Sequence, residues 1–128
     1  MIIFKIIITL LVCVILTILI EYIPIVCFLH ISKKYFIVTN VLTNVLANVA
    51  VMIFDIVSKG GHFIIDRTQF IIIIEILVVL TEIILYNIYL NKKGMTGKKY
   101  LFKNIALTIV ANIMSFLLGT TILKILMI

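Results

Sequence analysis

The sequence predicts an all-α integral membrane protein of four transmembrane helices, two tandem helical hairpins forming one bundle. Composition is the first reason. Of 128 residues, 65% are hydrophobic and 12% charged, against about 45–50% and about 25% in soluble domains. The second reason is spacing: the apolar residues fall into four runs bounded by charge, each near the roughly 20 residues that cross a hydrocarbon core of about 30 Å. The third is what is scarce. With one proline, five glycines and no polar low-complexity tract, disordered, collagen-like and solenoid readings fail.

The first predicted span is Ile6–Leu29. Lys5 and a long apolar stretch imitate a secretory signal, but Glu21-Tyr22-Ile23-Pro24 follows where small residues would mark cleavage. Leu10-Leu11-Val12-Cys13 is similar to a lipoprotein signal, yet Val12 occupies a small-residue position. The second span, Tyr35–Phe54, follows a short connector from His30 to Lys34. The third, Gln69–Leu90, follows the longest connector, Asp55–Thr68, in which Asp66 and Thr68 are candidate helix caps. A basic loop, Asn91–Lys103, holding Gly94 and Gly97, leads to the fourth span, Asn104–Leu123. Residues 1–128 therefore form one transmembrane domain with no room for a soluble one.

Loop charge predicts orientation. Lys33, Lys34, Lys92, Lys93, Lys98, Lys99 and Lys103 lie on one side, and Lys5, Lys59, Arg67 and Lys124 on the other. Cytoplasmic loops carry the excess of Lys and Arg, so the expectation is a multi-pass cell (plasma) membrane protein with both termini outside. The net charge of +6 then reports topology and contact with anionic headgroups of the lipid bilayer. A short lysine loop does not provide the folded basic surface that nucleic-acid binding requires.

The halves 6–54 and 69–123 read as a possible repeat. Glu21 aligns with Glu82, Lys33-Lys34-Tyr35 with Lys98-Lys99-Tyr100, and Asn40, Asn44, Ala47 and Asn48 with Asn104, Thr108, Ala111 and Asn112. Each copy has two spans, so both point the same way across the membrane, related by an axis along its normal.

Function is argued from polar residues inside the spans. Glu21, Glu75 and Glu82 each cost about 2.5–3.5 kcal/mol near a helix centre, so they should face the bundle interior. Glu75 and Glu82 are two turns apart on one face, with Tyr86 a turn further. Asn40, Asn44 and Asn48 recur every fourth residue beside Thr39 and Thr43, and the last span supplies Asn104, Thr108, Asn112 and Ser115. Two levels are expected. The inner holds Glu21, Glu82, Asn44 and Thr108 or Asn112; the outer holds Glu75, Asn48 and Ser115. Pro24 should kink the first helix and free the Ile20 carbonyl beside Glu21.

Carboxylate, amide and hydroxyl oxygens suit protons or hard cations. No cofactor is expected beyond a possible bound hard cation. Cys13 and Cys27 lie about 21 Å apart along one helix, and His30 and His62 fall in loops on opposite sides, so zinc, copper and haem are not expected. Asparagine and threonine also bind helices together, at about 0.6 kcal/mol per interhelical bond. Glutamates without an intramembrane Lys or Arg are different: they must be protonated, bind a cation or meet a basic partner.

In size and four-span layout the chain is similar to the small multidrug transporters and the small fluoride channels, which work as dimers. Glu21 in the first helix is similar to the key glutamate of the former. The chain has no Trp and two further glutamates, and it lacks the Gly-rich polar helix and Thr-Phe-Ser track of the latter, so no family is assigned.

The expected function is handling of a cation or proton-coupled small solute through the Glu/Asn cluster, as a homodimer or with a larger membrane-protein partner. One alternative is a non-catalytic accessory subunit docking by its acidic stripe. Another is a small membrane enzyme using paired carboxylates, although no phosphate loop, metal motif or Ser/Cys–His pairing accompanies them. The topology is testable with reporters fused to the C-terminus and inserted at Gly94. A reporter active only outside the cell should work at the C-terminus and fail at Gly94; the reverse pattern would invert the assigned orientation.

Overall fold

Inside a bilayer every backbone polar group needs an internal partner, which long apolar runs achieve by becoming helices. The structure, a computed structural model, describes residues 1–61 and 64–126, the side chains of Leu123 and Leu126 excepted. His62 lies outside the described residues. Helix α1 (Ile2–Tyr22) continues into a π-helical turn (Ile23–Phe28), followed by α2 (Lys33–Ser58), α3 (Arg67–Lys92) and α4 (Lys98–Leu126). Four helices are long and apolar enough to cross a membrane.

The helices outrun the apolar runs at nearly every end. Only Lys93–Gly97 separates α3 from α4, so Lys92, Lys98, Lys99 and Lys103 are helical rather than part of a loop from Asn91 to Lys103. Helicity does not require apolarity, and lysine is a good helix former. The turn itself is made by Gly94 and Gly97, both in left-handed conformations at φ 79° and 118°.

Local signals fix the other ends. Asp66 caps α3 in a reciprocal box, its carboxylate accepting from Gln69 N–H at 2.8 Å while Gln69 Oε1 accepts from Asp66 N–H at 3.2 Å. Thr68 is already inside the helix and does not cap it. Ser32 caps α2, accepting from Tyr35 N–H at 3.3 Å. Pro24 is the second residue of the π-helical turn, whose widened register has Leu29 N–H donating to the Pro24 carbonyl at 3.1 Å. His30 then turns left-handed, at φ 62°, and Ile31 N–H reaches back to the Ile25 carbonyl at 3.3 Å.

The four helices form a ring in which α1 packs on α2 and α4, and α3 on α2 and α4. Packing is uneven along the ring. Toward the lysine-rich end, Ile25, Leu29, Ile31, Phe36, Tyr86 and Leu90 make a buried cluster, with Tyr22 edge-on to Phe36 at 5.9 Å. Toward the termini, no described residue of 1–20, 44–61, 64–77 or 113–126 is buried. There α2 and α3 are joined by a stacked Phe54–Phe70 pair at 4.2 Å and an exposed Arg67–Asp55 ion pair at 2.9 Å. The transition between the closed and open halves coincides with the polar residues of the candidate site.

The turn geometry gives a stability prediction. His30→Gly removes a left-handed cost of about 1–2 kcal/mol, offset in part by glycine's greater chain entropy, and should raise the thermal midpoint in detergent. Gly97→Val should lower it. Equal midpoints for both variants would contradict the turn assignment.

Candidate functional site

Two buried carboxyls occupy the transition level, and α4 joins them. Glu21 and Glu82 are both fully excluded from solvent, at 0% exposure. Asn112 Nδ2 donates to Glu82 Oε2 at 2.8 Å, and one turn along α4 Ser115 Oγ lies 2.7 Å from Glu21 Oε1. The two acids therefore reach one α4 face about 4.5 Å apart along its axis, from three residues at 1.5 Å each. Thr43 Oγ1 on α2 approaches Glu82 Oε1 at 3.0 Å. All four helices thus contribute to one polar cluster.

A second layer lies toward the lysine-rich end. Asn40 Nδ2 donates to Tyr86 Oη at 3.0 Å, joining α2 to α3, while Asn104 Nδ2 donates to the Ile83 carbonyl at 2.9 Å, joining α4 to α3. Thr108 is buried and donates to Asn104 Oδ1 at 3.0 Å. Tyr35 Oη donates to the Leu85 carbonyl at 2.7 Å and closes this layer at its rim. These neutral bonds fill the closed half, leaving the acids at its floor.

The remaining site residues are placed differently. Asn44 and Asn48 are half-buried and donate to the Asn40 and Asn44 carbonyls of their own helix, at 2.9 and 2.8 Å, without reaching a carboxyl. Their counterparts in the aligned second hairpin, Thr108 and Asn112, are buried, and Asn112 crosses to Glu82. Ser115, expected at the outer level with Glu75, meets Glu21 instead. Counting residues along a helix ignores the vertical offset between neighbours, which only their packing sets. Glu75 is half-buried and makes no hydrogen bond or ion pair with another described residue.

Thr43, which the sequence places only as a neighbour of the asparagines, is a contact of Glu82. Its signal is its place on the Asn40 face of α2, three residues on, but a threonine beside asparagines reads equally as helix packing.

The hydroxyls give the site its chemical character. Thr43 Oγ1 lies near Glu82 and also within 2.9 Å of the Thr39 carbonyl; Ser115 Oγ lies near Glu21 and also 3.0 Å from the Asn112 carbonyl. A hydroxyl has one hydrogen and can accept as well as donate. It can donate to an ionised carboxylate, or rotate to the backbone carbonyl and accept from a protonated carboxyl. Glu82 therefore has partners for both oxygens in either protonation state with no heavy atom moved, and Glu21 has one for Oε1 in either state.

Charge compensation comes from no neighbouring cation. Among the described residues the ion pair is the exposed Arg67–Asp55 pair, far along the helices from the acids. Glu21 Oε2 is the one buried side-chain nitrogen or oxygen there without a hydrogen-bond partner. No three His, Cys, Asp or Glu side chains among the described residues converge to hold a metal. The asparagines point their NH₂ groups at protein acceptors, an orientation that carbonyl partners fix for Asn44, Asn48, Asn104 and Asn112. Cys13 and Cys27 are free thiols.

The Glu82–Asn112 bond should be measurable. In a double-mutant cycle of Glu82→Gln and Asn112→Ala, followed by denaturing-detergent unfolding, the coupling should be about 0.6–1.7 kcal/mol, the range for intramembrane hydrogen bonds. Strict additivity would show that the bond contributes nothing. Comparison of the chain with protein-family models, curated proteins and solved structures finds no match.

Proposed function

We propose that this chain is a small membrane protein that handles protons, alone or coupled to a small solute, through the Glu21–Glu82 pair. The observation that carries the proposal is the pairing of each buried carboxyl with a hydroxyl that also reaches a helix carbonyl. Such an arrangement accommodates gain and loss of a proton without repacking the bundle. A metal ion is served less well, because Asn112 turns its N–H rather than its oxygen toward Glu82 and no three His, Cys, Asp or Glu side chains among the described residues converge on one point. Two ionised carboxylates without a cation would repel strongly in a low-dielectric interior, and a proton relieves that repulsion.

Glu82, bonded to both α2 and α4, is the central exchange site in this reading. Glu21 is the second, with its free Oε2 the position where a proton or water can arrive. Asn40, Asn104, Thr108 and Tyr86 hold the closed half rigid above the acids. Pro24 sets the π-helical turn one turn beyond Glu21, where a helix carbonyl at Ile20 lacks its usual donor because proline has no N–H.

A second reading is supported by the open half of the ring, where no described residue of 113–126 or 1–20 is buried. Such faces suit a second copy or a larger membrane-protein partner, and the chain would then be a subunit docking through these apolar faces rather than through an acidic stripe, since Glu82 is fully buried. In that case purified protein would show no proton movement by itself.

Reconstituted vesicles with an entrapped pH dye separate the readings. Wild type should dissipate an imposed proton gradient, Glu82→Gln should slow this at least tenfold with unchanged insertion, and Ser115→Ala should slow it severalfold. Wild-type rates in Glu82→Gln would overturn the assignment. Loss of flux in every sample, with a stoichiometric partner in native mass measurements, would favour the subunit reading.

A further inference from the structure

Between α3 and α4, on the outer face of the ring, runs a cleft of about 640 Å³. It extends from Ile72 to Ile83 on α3, about 16 Å at 1.5 Å per residue, so it is a groove about three helical turns long rather than a compact pocket. Its walls are Ile, Leu, Val and Phe side chains, interrupted by Glu75 and Asn112. Asn112 is committed to Glu82 and to the Thr108 carbonyl. Glu75 is not committed: no described residue bonds to it or neutralises it.

A half-buried carboxyl inside a membrane span is costly until a partner meets it. Depth restricts what can bring a base to Glu75. It lies eight residues beyond Arg67, the first residue of α3, about 12 Å along the axis, so a lipid amine at the Arg67 level does not reach it. This chain's own lysines and arginine do not reach it either. Lys103, five residues beyond the first of α4, is the one set farthest from a helix end, and a lysine so placed extends outward to the interface. A second copy therefore supplies no charge at that depth. A Lys or Arg carried at mid-span by another protein's helix does. It bears a transfer cost like that of Glu75, and one ion pair offsets both.

We propose that the α3/α4 groove seats a transmembrane helix of a partner protein, one bearing a single Lys or Arg near mid-span that pairs with Glu75. The bulky walls set a further condition. Close helix packing in membranes uses Gly, Ala, Ser or Thr at the contact, and the groove lining contains none of these. Small residues one turn to either side of the partner's base supply them and let its backbone approach. The pairing deepens the subunit reading, on which it rests, by naming the surface, the partner's chemistry and the charge that joins them, and it requires no proton movement.

The test uses full-length protein in phosphatidylcholine vesicles, with energy transfer from a donor on the C-terminus to acceptor-labelled leucine-based peptides of roughly 22 residues, long enough to span. The probe carries one Lys about eight residues from one end, with a Gly one turn to either side. Matched controls carry Gln or Glu in place of the Lys, or Leu in place of both Gly. Wild type should associate with the Lys probe at least tenfold more tightly than with the Gln or Glu control, and the Leu-flanked Lys peptide should bind more weakly than the probe. Glu75→Gln should lose the Lys preference, Glu75→Lys should transfer it to the Glu peptide, and Ile109→Trp should weaken association by filling the groove without touching the charge. A preference that moves to the Glu peptide cannot come from misfolding. Equal association of the Gln control, or an undiminished Lys preference in Glu75→Gln, overturns the proposal and identifies the groove as a seat for lipid chains. Glu75-dependent capture of the Lys probe sustains the proposal even where native mass measurements find no stoichiometric partner, a result that would count against the subunit reading alone.

Discussion

Burying two carboxyls in a bundle whose four described helices are each apolar enough to cross a bilayer imposes the constraint on which the rest of this structure depends. Each must find hydrogen-bond partners inside the protein, because the lipid offers none. Glu21 and Glu82 find them on α2 and α4, through Thr43, Asn112 and Ser115. Satisfying the two acids therefore fixes the rotation of all four helices about their axes. The apolar residues alone would not, since a side chain of Ile or Leu is about as comfortable against lipid as against another helix.

The same constraint explains where the ring is closed. Above the acids, toward the lysine-rich end, neutral polar bonds and an aromatic-aliphatic cluster alternate: Asn40 with Tyr86, Asn104 with Ile83, then Phe36, Ile25 and Ile31. Short connectors, Leu29–Ser32 and Lys93–Gly97, hold the helix ends together there. Farther below the acids the helices keep apolar residues on nearly all faces, and no described residue of 1–20, 44–61, 64–77 or 113–126 is buried. The carboxyl pair lies fully buried at the level where the closed half gives way to the open one, the place of the proposed exchange of protons.

Much of the architecture is legible in the residues themselves. Four apolar runs, their charged boundaries, the Asp66 cap and the interior placement of Glu21 and Glu82 follow from hydropathy, capping chemistry and the cost of charge in lipid. Boundaries were less legible, because lysines such as Lys98 and Lys99 are as content in a protruding helix as in a loop. The possible repeat of 6–54 and 69–123 remains a reading of sequence. Its aligned residues Asn48 and Asn112 have different surroundings, the first bonding within α2 and the second crossing to Glu82.

Sequence by itself determined the number of membrane-length helices and that Glu21 and Glu82 must turn inward, because these depend on local hydropathy and on a transfer cost that every residue carries alone. Only the tertiary structure decided which partners meet. That Ser115 rather than Asn44 serves Glu21's level, that Thr43 joins Glu82, and that no described residue bonds to Glu75 all depend on the vertical offset and rotation of neighbouring helices. Those are set jointly by packing around the ring, by the π-helical turn at Pro24 and by the two short connectors, and no single segment encodes them.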